Sequence, residues 1–477
     1  MTIARVPLYG QYSTRPDGTT AKDSRFKNVY PELVQSPRLL GNQQTDTTVY
    51  YWCKRPGLSS SIDHSDANEG RGCYTWNGFK YVVIADSIYK DGSAIAANTL
   101  TNSTGKVYFT ENTTNNLLVI KDNDKIITIT TGDVVTEEAD ADIPTNLVPG
   151  IVSLDTYIFV MDTTGIIYDS DVDDPTAWTS GNQLVAEIEP DAGVALVKHR
   201  NYVLALGEWT TEVFYDAANA TGSPLDPVQG TVHHIGCAAG GTAWSDEDTV
   251  IWVAQTRDGG TQVVALDGLQ LRPLSSPNLE RLLDQEESNL ASATGFGMRI
   301  GGHLFYVLRL SSSTWVCDVG TKLWMEWTVF NGTSEEAFTG IDCCSDADQY
   351  YVLDEDNGLL YLMDIDIYQD NSQKMLVEIV TPPIDFGTSA QKFCTRMTVV
   401  GDQQTSTSAL TIEYTDDDYQ NYCTARSVDM SNIAPSIYGC GAFQRRAVRL
   451  KHQANTPLRL ETLEMDIDVG DLIGGNS

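Results

Sequence analysis

Basic residues are scarce in this chain. Thirty-one Lys and Arg stand against 65 Asp and Glu over 477 residues, a formal net charge of −34. That excludes a broad basic face gripping DNA, because phosphate binding needs clustered Lys and Arg. No run of ~18 uninterrupted apolar residues occurs, so no transmembrane helix is expected. The opening stretch, MTIARVPLYGQYSTRPDG, lacks the apolar core of a signal peptide and is expected to be mature sequence. No CxxC pair, Walker loop or G-x-S-x-G elbow is present. The nine cysteines include the adjacent pair Cys343-Cys344, whose side chains would diverge on a strand and share no metal. They read as small buried hydrophobes of a chain folded in a reducing compartment.

What is present is apolar and strand-forming. Twenty-two Tyr, nine Trp and many Val/Ile runs exclude general disorder. Charge divides the chain: residues 1–66 carry eight basic and six acidic side chains, 67–366 carry 14 and 45, and 367–477 carry nine and 14. Such asymmetry predicts regions with different neighbours.

The middle segment repeats short β-rich runs between Gly, Asn and Asp turns, such as Tyr81–Ile84, Leu117–Ile120, Tyr157–Met161, Tyr202–Leu206, Val250–Ala254, Leu304–Leu308 and Gln349–Leu353. Asn77-Gly78, Asp91-Gly92, Asp258-Gly259, Asp267-Gly268 and Asn357-Gly358 suit the positive-φ positions of hairpins. Equivalent first strands start near 72, 107, 150, 193, 238, 291 and 338, a spacing close to the ~40–50 residues of a propeller blade. The expected fold is therefore all-β: a β-propeller of six or seven blades over 67–366, seven being the closer count. A β-sandwich array is the competing architecture. Only Asn278–Leu290 has helical periodicity, with Leu279, Leu282 and Leu283 on one face.

The flanks differ. Residues 1–66 are punctuated by Pro and predict an extended arm or docking segment. Thr381-Pro382-Pro383 marks a boundary, and 367–477 predicts a compact antiparallel β-domain, with strands at Phe393–Val400, Ala409–Tyr414, Arg446–His452 and Leu458–Ile467. The alternation in the last slips at Thr462, as a β-bulge would make it.

Catalytic and metal-binding patterns are sparse in the sequence. Asp169–Asp174 places oxygens at alternate positions, yet holds Asp174 and Ser180 where a calcium loop needs Gly and Glu; it reads as an acidic turn. Asp246–Asp248, Asp354–Asp356 and Asp416–Asp418 read likewise as solvated acidic turns. His233-His234 would diverge on a strand. A glycoside hydrolase needs two carboxyls ~5–10 Å apart, which spacing along a chain does not reveal. No catalytic residue, metal or cofactor is expected. Two basic clusters stand out: Arg15, Lys22, Arg25 and Lys27, with Lys54 and Arg55 further on, and Arg445, Arg446, Arg449 and Lys451. They form either solvated strand faces or docking surfaces for acidic neighbours. The candidate docking residues are Arg15, Arg25, Lys27, Arg445, Arg446, Arg449 and Lys451.

Several stretches together carry a resemblance. They are Arg25–Glu32 (RFKNVYPE), Arg55–Leu58 (RPGL), the helical Leu279–Leu283, Arg445–Ile467, and above all Thr211–Val253. In that last stretch Thr211, Glu212, Phe214 and Tyr215 lead to a small-residue loop, and Gly236, Ala238, Ala239 and Gly240 form a turn before an aromatic strand. The chain resembles the tail hub (nozzle) proteins of short-tailed phages, also called packaged-DNA stabilisation proteins. The resemblance implies a non-enzymatic virion protein made in the bacterial host cytoplasm. It implies a ring, expected to be a homohexamer, docked below the portal and its adaptor and carrying fibres, a tailspike or a tail tip. DNA would pass through its channel without sequence-specific binding, and no membrane anchor is implied. The alternative is a carbohydrate-active propeller, glycan-binding or hydrolytic.

Overall fold

The computed structural model describes residues 2–8, 25–40, 43–186, 191–219 and 221–470. Two compact units interleave along the chain, one built from 60–312 and 339–363, the other from 1–59, 313–338 and 364–477. The three consecutive segments expected from the sequence, divided at 66 and 366, are thus replaced by two discontinuous ones. The reason is strand pairing: the N-terminal residues supply strands to the same unit as the C-terminal ones.

The first unit is the propeller. Four-stranded antiparallel sheets follow in order, beginning with Gly70–Trp76, Phe79–Ile84, Ser87–Lys90 and Ser93–Ala96. The next runs Tyr108–Asn112 to Val135–Glu137, then Val152–Leu154 to Asp174–Val185, then Gly193–His199 to Leu225–Pro227. A five-stranded sheet runs from Gly236–Cys237 to Gln270–Pro273. The hairpin Thr294–Ile300/His303–Arg309 and the three strands Gly340–Asp346, Gln349–Asp354 and Leu360–Asp364 follow as the last sheets. The inner strands neighbour one another in the order Gly70–Trp76, Tyr108–Asn112, Val152–Leu154, Gly193–His199, Trp244–Ser245, Thr294–Ile300 and Gly340–Asp346, and the last returns to the first. Their starts lie within three residues of the expected repeat positions, apart from Trp244–Ser245, which follows the expected strand at Gly236–Cys237.

Burial on both faces explains the continuous apolar runs. In Leu117–Asp122, Leu118 and Ile120 pack with Trp76, Tyr81 and Val83 of the preceding sheet. Val119, between them, packs with Ile158, Val160 and Trp178 of the following one. The same alternation recurs around the ring, with Val82 and Ile84 meeting Ile341, Leu353 and Leu360 at its closure. Each such fully buried side chain contributes about 1.5–3 kcal/mol. Hairpin turns use the foreseen residues: Asn77 and Gly78 have φ of 52° and 79°, and Asp91 and Gly92 of 45° and 84°. Arg71, fully buried, bonds the carbonyls of Ala85, Asn102, Thr104 and Gly105 and the Asp122 carboxylate, tying the first two sheets together. The helix is Pro277–Glu286, continued as a 3-10 turn over Glu287–Ser292, with Leu279 and Leu283 buried.

Most described strands of the second unit fall in two sheets. One joins the hairpin Val29–Leu40/Gln43–Lys54 to Arg459–Val469, Lys392–Gly401 and Ser436–Tyr438, with Thr2–Pro7 paired to Arg459–Val469. The other joins Leu323–Phe330, Arg25–Lys27, Val377–Val380, Ala447–His452, Ala409–Thr415 and Arg426–Asp429. Phe26 of one sheet stacks on Trp52 of the other, centroids 4.1 Å apart. The expected arm is therefore strand over its described part. The foreseen bulge falls at Glu461, where the register steps from Val400↔Thr462 to Gly401↔Leu460.

Candidate functional site

The inner strands of the propeller leave an axial cavity of about 620 Å³. Each inner strand contributes the side chains that alternate away from its packed face, so polar residues collect there in spite of apolar neighbours. Lys106, Glu111, Lys198 and Asp342 are its charged residues, with Tyr74, Tyr108, Ser153, Trp244 and Cys343 on the same wall. Lys106 Nζ donates to Gly295 O at 2.9 Å and Lys198 Nζ to Ser153 O at 2.7 Å, so both ammonium groups are held by backbone. Tyr74 donates to Glu111 Oε1 at 2.8 Å and stacks on Phe109.

Asp342 accepts the Cys73 N–H at 3.1 Å. Burial among the inner strands pushes its carboxyl up, against the opposing pull of Lys106. Burial lowers the Lys198 ammonium. Cys343 faces this cavity while Cys344 packs in the apolar core with Cys73, so the adjacent thiols diverge as the strand period requires. Two cations and two carboxylates make the cavity wall balanced rather than a trap for either sign of ion. Among the described residues no group of His, Cys, Asp and Glu is arranged to hold a metal. Residue type does not single these positions out in the sequence; their signal is position, each lying in or beside the strand that opens a repeat.

The basic candidates lie in the other unit, apart from Arg15, which falls outside the described residues together with Lys22. Arg25 and Lys27 share one short strand, and Lys27 Nζ pairs with Glu335 at 3.1 Å and Glu326 at 3.5 Å. Arg446, only 2% exposed, forks onto Asp416 through two bonds of 2.7 Å and lies between the rings of Tyr414 and Phe443. Arg449 pairs with Glu413 and covers the Tyr422 ring, and Lys451 also reaches Glu413. Arg445 pairs with Asp418 at 2.6 Å on the surface. Lys27, Arg445, Arg446, Arg449 and Lys451 are paired within their own unit, and of these five Arg445 and Lys451 keep the most side chain in solvent.

Two acidic stretches differ from the solvated turns expected. Asp169 lies inside the strand Ile166–Asp171, 1% exposed, and neither carboxylate oxygen has a hydrogen-bond partner among the described residues. Burial, with Asp171 and Asp216 nearby, pushes its carboxyl up to about 6. Asp354, also buried, accepts from Thr339 and from the N–H groups of Asp356 and Asn357. Both follow the inward phase of their strands, which a count of consecutive acids hides.

Residues 20–368 match the model of a phage-stabilisation family described as Bacteriophage P22 Gp10, beta-propeller. The chain belongs to this family. As a member of the Gp10 propeller family it is a phage structural protein with a DNA-stabilising role, a component of the virion. Among solved structures it is similar to virginiamycin B lyase of Staphylococcus aureus with quinupristin, at 12% identity over 65% of this chain and 99% of that one, with a TM-score of 0.44. It is also similar to the designed protein Ika8, at 12% identity over 64% and 99% with a TM-score of 0.40. The N-terminal domain of Nup159 matches at 8% identity over 72% and 99%, also with a TM-score of 0.40. At these scores the likenesses carry nothing about chemistry. No curated protein matches the chain. No helix among the described residues is long and apolar enough to cross a membrane.

Proposed function

We propose that this Gp10-family chain is a tail hub, assembling as a homohexameric ring below the portal and its adaptor. There it extends the DNA channel, retains packaged DNA, conducts it at ejection, and carries fibres, a tailspike or a tail tip. The observation that carries this reading is the family match, which runs through the propeller from residue 20 to 368. In this role the chain catalyses nothing; the carbohydrate-active alternative draws no support from the family. Synthesis would take place in the host cytoplasm, consistent with nine cysteines kept as thiols.

Charge supports the same reading. Most of the −34 falls between residues 67 and 366. Acidic walls beside a DNA conduit would repel phosphates and let DNA move without sticking. Of the candidate residues with described ion pairs, Arg445 and Lys451 keep the most side chain in solvent and would steer docking onto an acidic neighbour, while Arg446 is committed to the fold.

The test is mass measurement of the purified chain alone and mixed with a portal–adaptor complex, followed by surface-potential mapping of the assembled ring. A sixfold mass on the adaptor and an acidic lumen are expected. A monomer that ignores the adaptor, or a basic lumen, would refute the reading.

A further inference from the structure

We infer that Cys394 and Cys440 form a latent dithiol, a modification site at which a hydroperoxide closes an internal disulfide once the chain leaves a reducing compartment. The inference is independent of ring formation.

The backbone builds the pair. Cys440 N donates to Cys394 O at 3.1 Å, Cys394 N to Gly441 O at 2.9 Å, and Gly439 N to Thr395 O at 2.8 Å. The two cysteines are therefore cross-strand neighbours although 45 residues separate them. Gly439 and Gly441 hold φ of 65° and 71°, and nothing would crowd a Cβ at either. Glycine is needed there for conformation, not space, since L-residues avoid that region. This double turn keeps Cys440 on the buried face that Cys394 occupies; the two are 0% and 3% exposed. The Cys394 thiol donates to Arg396 O at 3.4 Å and the Cys440 thiol to Ile437 O at 3.8 Å, so neither is tied up by another side-chain acceptor.

Cations stand on one side of the pair. Arg426 Nη2 lies 3.7 Å from Cys440 Sγ, and Arg446 Nη1 donates to Cys440 O at 2.8 Å. The neighbouring Cys394 thiol, then these guanidinium groups, lower the Cys440 thiol, while Cys394 is raised. The thiolate is the nucleophile in oxidation, so the geometry makes Cys440 the attacking sulfur and Cys394 the resolving one. Cys73 and Cys344 pack in one apolar cluster, but burial pushes Cys73 up, and Asp342 and Cys343 add to the rise. That second pair lacks the cations and serves as an internal control.

The chemistry balances. Cys440 thiolate attacks the distal peroxide oxygen; the O–O bond breaks, and the leaving oxygen takes a proton to become water or an alcohol. Sulfur has then lost two electrons to the peroxide and is a sulfenic acid. Cys394 sulfur attacks it, the S–S bond forms and the S–O bond breaks. The departing hydroxide leaves as water with the proton of Cys394.

The experiment exposes the native full chain to hydrogen peroxide, then unfolds it, alkylates every free thiol and maps peptides by mass spectrometry. A peptide linking Cys394 to Cys440 with the loss of two hydrogens is expected, reversed by dithiothreitol, while Cys73, Cys344 and Cys317 remain alkylated. Cys394→Ser should accumulate a dimedone-reactive sulfenic acid at Cys440, and Cys440→Ser should leave Cys394 unreactive. Both thiols remaining free in the wild type overturns the inference, whatever the variants do. A Cys73–Cys344 link forming as fast overturns the part given to the arginines.

Discussion

Arg55 offers the sharpest test of how the second unit is held together. It is fully buried and uses all five of its N–H donors: onto Asn28 Oδ1, Pro56 O, Thr328 O and both oxygens of Asp370, at 2.7–3.0 Å. Its guanidinium also lies 5.4 Å and 5.3 Å from the ring centroids of Trp327 and Phe338. Arg55→Met retains bulk but leaves the Asp370 carboxylate, itself 5% exposed, without its cation. Removing one partner of a buried pair costs about 3–5 kcal/mol. The double variant Arg55→Met/Asp370→Leu removes both charges and should recover at least about half of that, because no buried charge is then left alone. Arg55→Lys keeps the charge but not the fork, and should fall between.

A chain of two units need not unfold in one step, so the assay is native-state hydrogen exchange read on peptides covering Arg25–Lys27 and Leu323–Phe330. At 1.36 kcal/mol per decade, Arg55→Met should speed exchange there by roughly a hundredfold or more. An acceleration below about threefold, or strict additivity in the double variant, would refute the argument that the pair works as one unit.

Other outcomes follow from single features. Asp169 has its carboxyl raised, so the propeller should lose stability as pH climbs from about 4 to 6; Asp169→Asn should stabilise it by about 1–2 kcal/mol at pH 8 and not at pH 4, by urea titration. His452 behaves oppositely: burial, then Lys54, lower it to about 3, so its unit should weaken as pH falls below about 6.5, by on the order of 3 kcal/mol in full. Exchange measured on the two units should therefore diverge between pH 4 and 6. Gly150 has φ of 100° and a Cβ there would lie 1.9 Å from Leu196 O, so Gly150→Ala should cost about 3 kcal/mol or more in thermal unfolding. Arg445→Glu should change stability by less than about 1 kcal/mol while weakening attachment to an acidic neighbour, as measured by co-sedimentation.

The propeller was legible because its strands are buried on both faces and its turns need special residues. Val82-Val83-Ile84 is a continuous apolar run, and Asn77-Gly78 is chemically explicit, so both element and boundary could be read. The division into units was not legible. Arg25–Lys27 has three residues and no period, and it is a strand only because Val377–Val380 and Leu323–Phe330, some 300 or more positions away, offer free edges. The buried state of Asp169 and Arg446 was hidden for a similar reason. A charged residue looks the same in sequence whether water or a distant partner meets it.

The inner ring closes between Gly70–Trp76 and Gly340–Asp346, and the bond from Cys73 N to Asp342 spans 269 positions. On a ribosome adding about 5–20 residues per second, the first sheet waits roughly 15–55 s before its last neighbour exists. Through that interval Val82, Ile84 and Tyr89 face water or a chaperone rather than Ile341 and Leu353. The nascent propeller is thus an open spiral with an apolar end, and two such chains made side by side could pair first sheet with last. Slower translation would lengthen the exposure of that apolar end, a hazard that the stability of the finished fold does not reveal.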